Sequence, residues 1–182
     1  MRMNSSMRPL WREPADLPRK DLPGEDLPGE DLPGEDLPGE LRSLVDEGWE
    51  VGPAGSLLLR GMHGSGWRSD WTREEVSRHE LDVNDVWIPP TGLDESRDVF
   101  LPGLVARARE FLSCAMKSAH GLESADLLVG IISIGVDDDF LDHGATVKLS
   151  TRRGGFPDYY DDLERFQFEG MAVVEAADMP GR

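Results

Sequence analysis

A proline at every fifth position bars a stretch of chain from any continuous helix, since each one lacks an amide proton and crowds the preceding turn. Four unbroken copies of Asp-Leu-Pro-Gly-Glu, starting at Asp21, Asp26, Asp31 and Asp36, impose that condition here. Each Pro-Gly pair suits the centre of a type II turn, with Pro presetting φ near about −65° and Gly accepting a positive φ. Only one leucine per copy is apolar, and abutting carboxylates such as Glu25 and Asp26 repel each other. Too little surface is buried to offset the entropy of ordering such a backbone. Residues 1–40 are therefore expected to form a disordered acidic linker. Residues 41–182, 142 in number, suffice for a single compact domain.

The chain holds 36 acidic residues against 19 basic ones, a formal net charge of −17. Ten of the acids and five of the bases fall in the first forty positions, so the expected domain is itself acidic, 26 against 14. Such a surface repels bare nucleic acid and steers basic partners toward it. A single cysteine rules out a disulfide framework and a thiolate zinc cluster. The longest apolar run, Leu127 to Val136, is about half of what a membrane span takes, and nothing near Met1 reads as a targeting segment. The expectation is a cytoplasmic protein that does not enter a membrane.

Patterning then sets the fold class. Leu41, Leu44 and Val45 have helical spacing, with Gly48 as a stop, and Ser56 to Arg60 reads as a strand. Thr72, with Glu75 three residues on, has the form of a capping box opening a short helix. Leu81 to Ile88 reads as extended and stops at Pro89-Pro90. Between Pro102 and Ala119 the apolar positions Leu104, Val105, Ala108, Phe111, Leu112, Ala115 and Met116 recur in steps of three and four, which predicts a long amphipathic helix. Strands are predicted over Leu127 to Val136, Ala145 to Thr151 and Phe166 to Ala176. Their connections are short enough for antiparallel neighbours. The fold class expected is α+β, a mostly antiparallel sheet with one long helix on a face.

No stretch carries a strong catalytic signature. The loop Gly61-Met-His-Gly-Ser-Gly-Trp67 follows a strand, as phosphate-cradling loops do, but lacks the Gly-Lys-Ser/Thr ending and the dinucleotide spacing. His63 and Ser65 lie outside any Gly-x-Ser-x-Gly elbow. Asp137, Asp139 and His143, where the central strand empties into carboxylates, are the candidate ligands for a magnesium ion, the one cofactor the sequence suggests. Cys114 beside the apolar stripe of the long helix reads as a small buried hydrophobe.

Aromatic residues set among acids favour recognition instead, because amphipathic rings dominate docking energetics while charge steers the approach. The candidate contact residues are Trp67, Trp71, Glu74 and Glu75 in one stretch, and Tyr159, Tyr160, Asp161 and Asp162 in another. The function expected is a non-catalytic interaction module of the immunity, antitoxin, inhibitor or adaptor kind, binding a basic protein surface. An accessory domain of a nucleotide-binding system and a divalent-metal-dependent hydrolase are the alternatives.

Overall fold

The structure, a computed structural model, describes residues 1–12, 37–62, 68–154 and 157–179. It is an α+β fold built on a five-stranded, wholly antiparallel sheet. The strands are β1 (Arg2–Met3), β4 (Asp85–Ile88), β5 (Leu128–Gly135), β6 (Ala145–Thr151) and β7 (Glu169–Glu175), and they lie side by side in the order β1-β7-β5-β6-β4. A separate two-stranded ribbon joins β2 (Trp49–Val51) to β3 (Leu57–Leu59). The helices are α1 (Gly39–Glu47), α2 (Arg73–Val83), α3 (Arg97–Ser118) and the single turn α4 (Phe140–His143). Among the described residues no helix is long and apolar enough to cross a membrane.

Side chains alternate across a strand, so the sheet has two faces with separate cores. On the first, α3 sets Leu104, Val105, Ala108, Phe111, Leu112 and Ala115 against Ile132 and Ile134 of β5, Val147 and Leu149 of β6, and Ala172 and Val174 of β7. The helix comes so close to β5 that a Cβ at Gly130 would overlap the Leu112 side chain. On the second face, Leu81 of α2 with Tyr160, Leu163 and Phe166 covers Val129, Ile131, Met171 and Val173.

Four boundaries differ from the sequence reading. α3 starts at Arg97, upstream of Pro102, which sits inside the helix. Phe100 and Leu101, both buried, are drawn into the core by that extra turn, and burying two such side chains, at about 1.5–3 kcal/mol each, outweighs the roughly 3 kcal/mol an interior proline costs. α2 runs on through Leu81 to Val83, leaving only Asp85–Ile88 extended. Phe166 and Phe168 precede β7 instead of belonging to it.

The folded body also claims more of the N-terminal forty residues than expected. Leu37 is buried in the main core and Gly39 and Glu40, the end of the fourth pentapeptide copy, open α1. Residues 1–12 pack on the far side of β7, with β1 pairing Arg2 to Val173 and Met3 to Ala172. The buried Asn4 accepts at Oδ1 from the amides of Met7 and Met171, both at 2.9 Å, and donates from Nδ2 to the carbonyl of Glu169 at 2.8 Å. The earlier copies up to Asp36, residues 63–67 of the glycine-rich loop, and Phe156 lie outside the described residues.

The ribbon joins the sheet through side chains of α2. Glu80, fully buried, accepts the Leu57 amide at Oε1 (2.8 Å), and at Oε2 both the amide and the hydroxyl of Thr151 (2.6 Å each). One helical turn on, Asn84 accepts the Leu59 amide at 2.8 Å and donates to the carbonyls of Leu57 (2.8 Å) and Leu149 (3.1 Å). Ser77, on the same helix face, donates to the Thr151 carbonyl at 2.5 Å. These three side chains thus occupy the place of a missing strand between β3 and the end of β6. Arg153 closes the group, 3.9 Å from Glu80 Oε1, with Nε donating to the Thr151 hydroxyl at 2.7 Å and its terminal nitrogens to the carbonyls of Ala54 and Gly55.

Burial pushes the Glu80 carboxyl above its ordinary range, while the Thr151 and Leu57 donors and Arg153 draw it back part of the way. Glu80→Gln sets an amide NH2 against donors that the carboxylate accepts, the Leu57 amide or the amide and hydroxyl of Thr151, and should cost about 2–3 kcal/mol of stability, read from urea unfolding. The folded state holds the Glu80 proton more tightly than the unfolded one. The advantage of the native chain over Glu80→Gln is therefore expected to be full below the ordinary carboxylate range and to shrink as pH rises through the raised value.

Candidate functional site

The second sheet face is only partly covered. Its cross-strand rows follow from the register: Asp85, Lys148, Ile131 and Val173 in one, Trp87, Thr146, Ser133 and Met171 in the next, Gly135 and Glu169 in the last. The first row lies under the cover made by α2 and the 157–166 segment, with Lys148 paired to Asp85 at 2.5 Å. Toward the other end the cover stops. There a cleft of about 290 Å³ opens, lined by Ser133, Gly135, Asp137, His143, Gly144, Thr146, Phe168 and Glu169.

Each of these side chains is placed by a local cause. The Ser133 hydroxyl donates to Glu169 Oε2 across the β5–β7 pair. α4, the single turn in the β5–β6 connection, brings His143 back over Gly135, where a Cβ would lie 2.6 Å from that of His143. Gly144 has a φ of +63°, which favours glycine, and a Cβ there would sit 2.7 Å from the Trp87 indole nitrogen. The absence of that Cβ lets the indole lie against the edge of the cleft. Arg97, at the start of α3, donates to the carbonyls of Val136 and Asp137 and stacks over Phe140 at 5.0 Å, fixing the backbone that carries Asp137. Trp87 remains 54% exposed and Phe168 73% exposed.

His143 Nε2 stands 3.3 Å from Asp137 Oδ1. That oxygen is shielded from solvent yet accepts no hydrogen bond among the described residues. Of the three candidate magnesium ligands, then, the fold joins two. Among the described residues no three His, Cys, Asp or Glu side chains converge as a metal-holding group, so Asp139 does not complete the set. Ser133 is turned to Glu169 and His143 to Asp137, and no hydrogen bond among the described residues couples the serine to the imidazole as a nucleophile and base would be.

The expected contact residues divide. Trp67 lies outside the described residues. Trp71 is half-buried, its ring 4.8 Å from that of His79, and Glu74 lies alongside Gly154. Glu75 is engaged in the capping box, its carboxylate accepting the Thr72 amide at 2.7 Å while its own amide donates to the Thr72 hydroxyl. Those bonds hold its carboxyl below the ordinary range. Tyr160 is only 7% exposed, a core residue of the second face rather than a contact. Burial first, then Tyr159, Asp85 and Glu169, keep its phenol protonated well above the ordinary value. Tyr159 is 41% exposed, its ring 4.3 Å from that of Tyr160. Asp161 pairs with Arg2 at 3.2 Å, and Asp162 is exposed. Cys114 is buried, donates to Glu110 at 3.4 Å, and is pushed up to about 11 by burial and then by the Glu110 charge, so its thiol is unreactive at neutral pH.

Sequence reasoning did not single out Ser133, Thr146, Phe168 or Glu169, because only the strand register brings them together. The one readable hint was Trp87, alternating with buried Val86 and Ile88 and so bound to point away from the main core. Comparison with protein-family models, curated proteins and solved structures finds no match to this chain.

An aromatic ring as exposed as Phe168 adds little to folding. Phe168→Ala is expected to leave the unfolding free energy within about 0.5 kcal/mol of the native value in urea titration, whereas Leu112→Ala at the α3–β5 contact should cost about 2–5 kcal/mol.

Proposed function

We propose that this chain is a non-catalytic acidic interaction module that docks a basic protein surface through the open end of the second sheet face. The observation that carries this reading is a cleft lined by the carboxylates Asp137 and Glu169 and by Phe168, 73% exposed, and bordered at Gly144 by the indole of Trp87, 54% exposed. Exposed rings beside carboxylates at a cleft are the composition of a docking surface. Tyr159, 41% exposed beside Tyr160, keeps in this reading the place expected of it from sequence. The net charge of −17 supplies long-range attraction toward a cationic partner. The docking face differs from the two sequence stretches first expected: it keeps Tyr159, drops Tyr160 and Glu75, and adds Trp87, Phe168, Asp137 and Glu169.

The immobilised chain is expected to retain a protein partner from its own cell extract at low ionic strength and to lose most of it as salt shortens the Debye length from about 10 Å toward about 3 Å. Retention indifferent to salt, and equal for a Trp87→Ala/Phe168→Ala double variant, would overturn the reading. A rise in melting temperature with millimolar ATP or Mg2+ would favour the nucleotide or metal alternatives instead.

A further inference from the structure

The size, charge and shape of the cleft narrow what enters it. At about 290 Å³ it lies at the lower limit of pockets that enclose a drug-sized ligand, about 300 Å³, and a single long side chain fits within it. Its walls offer Glu169 on the β7 side and Asp137 on the β5 side, with the Ser133 and Thr146 hydroxyls between them. Asp137 Oδ1 is shielded from solvent with His143 Nε2 3.3 Å away, whereas Glu169 has the Ser133 hydroxyl and no cationic side chain as its partner among the described residues. Of the basic groups nearby, Lys148 is matched by Asp85, Arg97 is directed to the carbonyls of Val136 and Asp137, and His143 faces Asp137. A cation is the complement of such a wall.

The rings decide which cation. Phe168 stands beside Glu169, and the Trp87 indole lies against Gly144 at the cleft edge. A guanidinium is flat, stacks on aromatic faces and presents a fork of donors to a carboxylate. An ammonium is a compact, strongly hydrated point that gains less from either. We infer that the cleft is the receptor for one arginine side chain of the basic partner, its guanidinium held by the Glu169 carboxylate and its flat face against the rings of Phe168 and Trp87. This inference rests on the docking reading above and names the anchor of that contact.

The test uses the full chain labelled with nitrogen-15 and three capped amino acids as probes: N-acetyl-arginine methylamide, its lysine counterpart and its neutral citrulline counterpart. The arginine probe should shift the amides of Ser133, Gly135, Gly144 and Glu169 and the Trp87 indole N–H. A dissociation constant on the order of 1–10 mM is expected, as befits one anchor without the rest of an interface. Lysine should bind several-fold more weakly and citrulline not at all. Glu169→Gln and Phe168→Ala should each weaken the arginine probe by about fivefold or more, a loss of roughly 1 kcal/mol, with urea midpoints unchanged. Silence of the arginine probe at these amides, equal binding of arginine and citrulline, or shifts spread evenly over the acidic surface would overturn the assignment. Partner retention that persists in Glu169→Gln beside a silent arginine probe removes the anchor and spares the wider docking reading. A cleft that takes arginine in a chain that retains no salt-sensitive partner removes the wider reading alone.

Discussion

One buried carboxylate joins the two halves of this fold. The β2–β3 ribbon forms no backbone ladder with the five-stranded sheet, and its link to the end of β6 runs through Glu80, with Asn84 and Ser77 beside it on α2. Placing a carboxylate where water cannot reach it costs several kcal/mol, and that cost is offset only when nearly every lone pair finds a donor. Here two backbone amides, a hydroxyl and a nearby guanidinium converge on it. The position of α2 therefore follows from satisfying Glu80. The cover that α2 gives to one end of the second sheet face, and the open end left beyond it, follow in turn. An arrangement in which the ribbon moved away would strand the charge, and this sets the register of helix against sheet more sharply than apolar contact, which tolerates sliding.

The main architecture was legible because it rests on periodicity. The stripe from Leu104 to Met116 specifies a helix and the face it buries, and the apolar run ending at Val136 specifies a central strand with neighbours on both sides. The capping box at Thr72 and Glu75 was readable for the same reason: its chemistry is local and spans four residues. What periodicity could not reveal was decided by distant partners. Asn4 and Met7 have no pattern in their own neighbourhood, and their burial depends on the carbonyls and amides of the 163–171 segment. Leu81 and Val83 alternate as a strand would, yet the helix persists because Glu80 and Asn84 must stand one turn apart to reach both β3 and β6.

The site was legible only in part, and for an allied reason. Asp137 and His143 drew notice as residues beyond a strand end, and the fold does place them 3.3 Å apart. Glu169, Thr146 and Ser133 are unremarkable on their own strands; their meaning lies in the register that sets them in adjoining rows. Two of the contact residues expected from composition are engaged within the fold, because Tyr160 and Glu75 look exposed by type while one is buried in the second core and the other closes a capping box. Two glycines do much of the shaping, Gly135 by admitting His143 and Gly144 by admitting the indole of Trp87.

The pairing of Arg2 and Met3 with β7 has a temporal meaning as well as a spatial one. Asn4 finds its acceptor and donor partners 167 positions downstream at Met171, so the outermost strand cannot settle until the sheet's last ribbon of chain exists. Closure over so long a loop is slow relative to helix formation. During synthesis Arg2 and Met3 therefore wait for β7, and their docking on its margin completes the sheet.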